Sequence, residues 1–440
     1  MMSFNSLSVE VALEIFLYVH PSDFPSLSLC CKRFHELVEP QLYRAITQTR
    51  ANAVQQFLRS LSIKPYRAKY VQHISAKAWD HQTAISTRFL DLDQSGPRVK
   101  PQVQIRKLLP EVIFGKEHCE DWYKAIFTNR GWDAIVALLL VLCTNLESVN
   151  LCLYNDSKYP FIERVLEDAM KSQKEPKPQE HLASLSRVGL KPVTASQRSS
   201  LYRMFLALDS VREFNGHGVQ HGWNSPFEFN SRTRHVFNIA KVTLNNNAVF
   251  SSNGQAFSAV LAWFHSMRSF SCEGTVGMSC EYENWSIMNG LINSKHSLED
   301  ITLSSRGYHF RDRYTMKAWS PITSLKGYTK LRSLELEPWM FFNATSFPLN
   351  NDFKALNWLS ELLPDSLEQL SIRELTTSDL EKLIVVFTSA GSVSKNLRML
   401  KIASRLAAED FENYNLSLWQ RLEEVTRSHG IDMTREIHMG

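Results

Sequence analysis

Leu298-Glu-Asp-Ile301-Thr-Leu303, Leu331-Arg-Ser-Leu334-Glu-Leu336 and Leu367-Glu-Gln-Leu370-Ser-Ile372 repeat one six-residue frame, apolar-x-x-apolar-x-apolar. Three further copies are Leu146-Glu-Ser-Val149-Asn-Leu151, Met267-Arg-Ser-Phe270-Ser-Cys272 and Leu397-Arg-Met-Leu400-Lys-Ile402. Weaker copies begin at Val71, Val211 and Ile239. The alternation at the end of each frame has the two-residue period of a strand with one apolar face. From Val211 onward the frames start 28, 28, 31, 33, 36 and 30 residues apart. The two earlier gaps, 71 to 146 and 146 to 211, are about twice as long.

Helical stretches precede most frames: Val54–Leu61, Ala134–Cys143, Leu201–Leu208, Ala256–Met267, Trp285–Leu291, Phe353–Leu363 and Leu380–Phe387. Strands alternating with helices predict a parallel sheet covered by helices, an α/β fold. A recurring step of about thirty residues predicts a solenoid of stacked units. An ordinary doubly wound α/β domain is the alternative. Two segments break the rhythm. Lys171 to Ser200 carries Pro176, Pro178 and Pro192 and is expected to be a flexible insertion. Ser304 to Thr329 is expected to be an extended connection. A last helix near Leu416 to Val425 and an edge strand from Ile431 to Ile437 are expected to close the sheet.

In the frame, the apolar residues point inward and the interleaved ones outward, onto the concave face. Those outward positions include Ser148, Ser269, Asp300, Ser333, Gln369 and Met399. The candidate binding row is Asn150, Ser271, Thr302, Glu335, Ser371 and Lys401. Small polar residues and charges of both signs suit a protein partner rather than lipid or nucleic acid.

The 440 residues carry 49 Lys and Arg against 45 Asp and Glu, a formal net charge of +4, too small to indicate nucleic acid. Between Arg50 and Lys107, however, eleven basic residues stand among three acidic ones. That run reads either as a solvated face or as a basic patch for an acidic partner. Seven cysteines without a CxxC pair fit reduced thiols in the cytoplasm or nucleus. The N-terminus lacks a basic leader and carries Glu10 and Glu14, so no signal peptide is expected. The longest uncharged apolar run, Ala134 to Cys143, is too short for a membrane span. No phosphate loop, dinucleotide fingerprint, HExxH or zinc spacing occurs. His217 and His221, set among glycines, read as a loop rather than a metal pair, and Cys272 and Cys280 lack an assignable base. No catalytic constellation, cofactor or metal is expected.

The first forty-odd residues are organised differently. Ser8 is a candidate N-cap with Glu10 in the first turn, and a nearly all-apolar helix is expected to about His20, before Pro21. Asp23 is a second candidate cap, Phe24, Leu27, Cys31 and Phe34 recur at helical spacing, and Pro40 is expected to close the segment. Two or three short helices result, with more apolar surface than so small a unit buries alone.

The order Leu-x-x-Glu, Ile15-Phe16-x-Tyr18-Val19, Asp23-Phe24-x-x-Leu27, Cys31-Lys32-Arg33-Phe34 and Leu42-Tyr43-Arg44 resembles the F-box, over residues 5 to 46. The family's opening Leu-Pro is Leu7-Ser8 here. The resemblance implies binding to the Skp adaptor of an SCF-type cullin–RING ubiquitin ligase, and through it to a cullin. The positions matching the adaptor-facing residues are Leu7, Val11, Ile15, Phe16, Phe24, Leu27, Leu29, Cys30 and Phe34. The remainder resembles the degenerate leucine-rich repeats of F-box proteins, without the usual Asn or Cys after most strands. Expected organisation is therefore an all-helical F-box module at 1–47 and an irregular leucine-rich-repeat solenoid at 48–440. Its implied role is a non-catalytic receptor for an unidentified protein substrate. A repeat scaffold outside the ligase is the alternative.

Overall fold

A computed structural model of the chain describes residues 7–48, 51–77, 109, 119–128, 131–153, 159–173, 182–192, 200–217, 237–247, 258, 260–275, 284–306, 322, 324–341, 361–373, 375, 377–389, 394–404 and 408–437. They divide between two compact units, Met1–Val193 with Ser199–Val211, and Thr194–Arg198 with Arg212–Gly440.

The first unit opens with three helices, α1 (Val9–Leu17), α2 (Phe24–Cys30) and α3 (Lys32–Tyr43), with a 3-10 turn at Pro21–Asp23 between the first two. Ser8 caps α1 as expected, its Oγ accepting from the Val11 N–H at 3.3 Å. The helix stops at Leu17, three residues earlier than its apolar pattern suggested. Asp23 makes no side-chain cap, because the 3-10 turn already leads into α2. Pro40 does not close the segment but lies inside α3.

The chain then enters β1 (Ala45–Gln48), α4 (Ala51–Ile63), a 3-10 helix (Pro65–Tyr70) and β2 (His73–Lys77). β3 (Ser148–Leu153) and β4 (Arg187–Pro192) follow. These four strands pair parallel in chain order. β4 corrects the expectation of a flexible insertion: the chain between Lys171 and Ser200 contains a strand in register with β3. Its Val188 and Leu190 are buried, but Gly189 and Pro192 interrupt the β-branched composition by which a strand is usually read. The long gap from 146 to 211 thus holds a unit of its own, with its helix at Pro160–Ser172.

The second unit carries β5 (Glu213–His217), β6 (Lys241–Asn247), β7 (Ser269–Thr275), β8 (Asp300–Arg306), β9 (Ser333–Leu336), β10 (Gln369–Arg373), β11 (Met399–Ser404) and β12 (Asp432–Ile437). All pair parallel in chain order. The sequence steps become the register: Lys241 lies opposite Ser269, Ser269 opposite Asp300, Asp300 opposite Ser333 and Ser333 opposite Gln369. A doubly wound sheet reverses its strand order at a switch point; neither unit does, so the chain-order arrangement of a solenoid holds. The frame's apolar positions are its core, with Leu298, Ile301 and Leu303, then Leu331, Leu334 and Leu336, at most 1 % exposed. The last helix runs over Ala408–Ser428 and β12 is the expected closing strand.

Each frame is also joined to its predecessor by one shared carbonyl. The N–H groups of Glu299 and Asp300 both donate to Arg268 O, those of Arg332 and Ser333 to Glu299 O, and those of Glu368 and Gln369 to Arg332 O, at 2.7–3.0 Å. In the first unit Gln72 O receives Glu147 and Ser148 in the same way. A polar residue just before the frame adds a rung: Ser297 Oγ donates to Met267 O, Ser366 Oγ to Leu331 O, Asn145 Nδ2 to Lys69 O and Asn396 Nδ2 to Asp365 O, at 2.8–2.9 Å. Turn geometry that lacks the usual Asn or Cys after the strand is fixed by a Ser or Asn before it.

Candidate functional site

Two surfaces carry the expected site residues. The first is the helical module. Its core is Phe16, Phe24 and Val38, with Val19, Leu27, Phe34, Leu37 and Leu42 packed against it. The Phe16 ring meets Phe24 edge-on at 6.5 Å and Phe34 at 5.8 Å, favoured aromatic geometries. Arg33 Nη2 donates to Leu7 O and ties the entry of α1 to α3.

The nine adaptor-facing positions therefore separate into three groups. Val11, Leu29 and Cys30 are exposed. Leu7, Ile15, Leu27 and Phe34 are half-buried. Phe16 and Phe24 are buried inside the module itself, so these two form its core rather than its free surface. The physical reason is size: a three-helix unit this small needs its largest rings at its own centre. In their place the structure exposes apolar residues outside that set. Leu17 is 78 % exposed and Tyr18 86 %, beside Val9 and Leu13; of the set itself, Leu29 at the end of α2 is 86 % exposed. Val9, Leu13 and Leu17 follow i,i+4 spacing along one stripe of α1, and Val11 and Tyr18 share another. At 100° per residue the stripe opposite Ala12 and Phe16 is that of Glu10 and Glu14, so helical period alone does not separate these apolar residues from the core. Burying one such side chain stabilises a complex by roughly 1.5–3 kcal/mol.

The module is held to the sheet-bearing part of its unit by a buried carboxylate. Glu39 on α3 is 6 % exposed. Its Oε1 accepts from Arg67 Nη2 at 2.6 Å and Nε at 2.9 Å, and its Oε2 from Tyr66 Oη at 2.9 Å. Lys64 Nζ lies at 3.6 Å and His35 Nε2 at 3.8 Å. Arg67 also stacks over the Tyr43 ring at 4.5 Å and donates to Ser60 Oγ. Burial alone would raise the Glu39 carboxyl, but the bonds from Arg67 and Tyr66 outweigh it and hold the group below its usual range.

The second surface is the outward row of each sheet. In the second unit Ser271, Thr302, Glu335, Ser371 and Lys401 stand directly opposite one another on successive strands. Asn150 occupies the equivalent row of the first unit, between Ser75 and Gly189. Ser371 is buried rather than presented; it is the shortest side chain between Glu335 and Lys401. Glu335 is engaged by Arg373, whose Nε lies 2.6 Å from its Oε1. His217 lies in β5, not in a loop, while His221 and Cys280 fall outside the described residues. Among the described residues no group of His, Cys, Asp or Glu is placed to hold a metal ion, and no helix is long and apolar enough to cross a membrane.

Residues 5–49 match the F-box-like family model, a span covering α1, α2, α3 and β1. No curated protein matches the chain.

Proposed function

We propose that this chain is the substrate-recognition subunit of an SCF-type cullin–RING ubiquitin ligase. Its N-terminal module binds the Skp adaptor, and its leucine-rich-repeat-like sheet captures a protein substrate. The observation that carries this reading is the F-box-like match at 5–49 on a module that exposes Leu17, Tyr18 and Leu29. Apolar side chains that remain in water on so small a unit are a binding surface in search of a partner. In this reading the chain contributes no covalent chemistry of its own. It holds the substrate beside the ligase, and catalysis gains from proximity. Such a protein works in the cytoplasm or nucleus.

The test is co-purification of the full chain with the Skp adaptor, against a Leu17→Asp/Leu29→Asp variant. A charge placed on a surface that becomes buried costs several kcal/mol. The receptor reading requires that the wild type form a soluble 1:1 complex and that the folded variant lose it.

A second reading is favoured by the Glu39 cluster. The helical module is tied to the 3-10 helix at Pro65–Tyr70 and continues directly into β1, as an N-terminal cap of the sheet would. A chain that is monodisperse alone and ignores the adaptor is then an interaction scaffold acting outside the ligase.

A further inference from the structure

Lys77, Arg187 and Lys191 are exposed on the outward face of the first unit's sheet. The register puts Lys77, Cys152 and Lys191 opposite one another on β2, β3 and β4. Two rows back along the same face, His73, Ser148 and Arg187 are opposite one another. Adjacent strands lie about 4.8 Å apart, so the two lysines stand about 10 Å apart across Cys152. Among the described residues, none of the three cations forms an ion pair. Their fields are felt by the groups between them. Burial, and then the charge of Arg187, hold the His73 imidazole below its usual value. Burial pushes the Cys152 thiol up against the opposing pull of Lys77 and Lys191. Glu147, just before β3, opposes this as the one carboxylate felt at His73 among the described residues.

The floor between these cations is flat and polar. Ser75, Asn150 and Gly189 form its central row. A Cβ at position 189 would collide with the Asn150 Oδ1, so the glycine lets the Asn150 amide lie across the neighbouring strand. That amide offers donors and acceptors to a passing main chain. The second unit's outward face is mixed in sign, carrying Asp300, Glu335 and Asp432 together with Lys241 and Lys401.

We propose that this face of the first unit is the docking site for an acidic peptide segment of a partner protein, with Lys77, Arg187 and Lys191 receiving its anionic side chains around Asn150. The identification of that partner as a substrate rests on the receptor reading above; the docking itself does not. Charge complementarity selects the occupant. Like charges on one small face repel one another, and an anionic partner relieves that repulsion while steering its own approach. Single-stranded nucleic acid is disfavoured by the floor, whose residues Ser75, Ser148, Asn150, Cys152 and Gly189 offer no aromatic platform for stacking bases.

The test uses the tagged full chain, expressed together with the adaptor and purified through its own tag, and fluorescence anisotropy of labelled probes. The probes are a peptide of alternating Glu and Ser, one of alternating Gln and Ser, and an oligouridylate. The variants are Lys77→Ala/Lys191→Ala and, as a charge-matched control, Lys326→Ala/Lys395→Ala, both exposed lysines of the second unit. The Glu peptide is expected to bind at least tenfold more tightly than the Gln peptide. The face variant should lose at least tenfold in affinity and the control less than twofold, with the difference shrinking as salt is added. Equal losses in the two variants, no preference for Glu over Gln, or tighter binding of the oligouridylate would overturn the proposal. Adaptor capture is scored in the same preparations. Capture retained without peptide discrimination removes this site alone; peptide discrimination without capture removes the ligase reading alone.

Discussion

The Arg67 guanidinium places two of its nitrogens, Nη2 at 2.6 Å and Nε at 2.9 Å, on the same oxygen of Glu39. The two residues lie 28 positions apart, on α3 and on the 3-10 helix leading to β2. The contact ties the F-box-like module to the segment that leads into β2; under the receptor reading it would carry the module's orientation to the first strands. A substrate held by those strands would then be presented at a fixed position rather than on a tether.

Removing Arg67 leaves Glu39 buried with weaker partners. Arg67→Ala is expected to cost about 3 kcal/mol, the scale for breaking a buried ion pair from one side. Because the folded Glu39 carboxyl titrates below its usual value, its contribution is present above the unfolded value near 4.5 and is lost as pH falls through the folded value. Urea denaturation at pH 7 and pH 4 should show the wild type losing its advantage over Glu39→Gln on acidification. An advantage that stays constant between those pH values would refute this account.

Phe16 and Leu17 are adjacent in sequence but opposite in consequence. Phe16→Ala removes the centre of the module's core and is expected to cost about 3–5 kcal/mol. Leu17→Asp changes a side chain that is 78 % exposed and is expected to leave stability within about 0.5 kcal/mol. Adaptor capture should nevertheless fail in both. Thermal denaturation separates the causes: only the Phe16 variant should melt early.

Gly290 ends the helix Asn284–Gly290 against the preceding repeat. A Cβ there would meet Leu261 Cβ at 2.6 Å and the backbone oxygen of Ser258 at 2.9 Å. Backbone cannot step aside as a side-chain tip can, so Gly290→Ala is expected to destabilise by about 1–3 kcal/mol. An unchanged denaturation midpoint would show that the two repeats pack less closely than this.

Asp133, in the first turn of the helix Trp132–Leu142, caps the neighbouring helix Pro160–Ser172. Its Oδ2 accepts from the Phe161 N–H at 2.8 Å and its Oδ1 from Ile162 N–H at 3.0 Å. Burial nevertheless dominates and pushes the carboxyl up to about 7. A raised folded value means a contribution fully present below the unfolded value near 4 and lost as pH rises towards 7. Between those limits the wild type should lose stability relative to Asp133→Asn by roughly 1 kcal/mol per pH unit. Urea midpoints for both proteins from pH 4.5 to 7.5 check this; parallel profiles would contradict it.

Most of the sheet was legible because its signal is local. The frame Leu331, Leu334, Leu336 recurs with its inward residues at fixed offsets, and those offsets reappear unchanged as strand register. β4 was hidden because Gly189 and Pro192 carry no strand preference; what makes it a strand is the pairing of Val188 and Leu190 with β3. On the module, Ser8 announced its cap, but composition alone did not divide the apolar residues into core and surface.

Sequence by itself determined the repeating frame, the helical N-terminal module and its F-box resemblance, because periodicity and capping are properties of neighbouring residues. Tertiary structure alone decided that Phe16 and Phe24 lie inside while Leu17, Tyr18 and Leu29 lie outside. It alone paired Glu39 with Arg67 and brought Lys77, Cys152 and Lys191 into one line. The physical reason is distance along the chain. Lys77 and Lys191 become neighbours across Cys152 only once three separate segments share a sheet, and no local pattern records which strands will lie side by side.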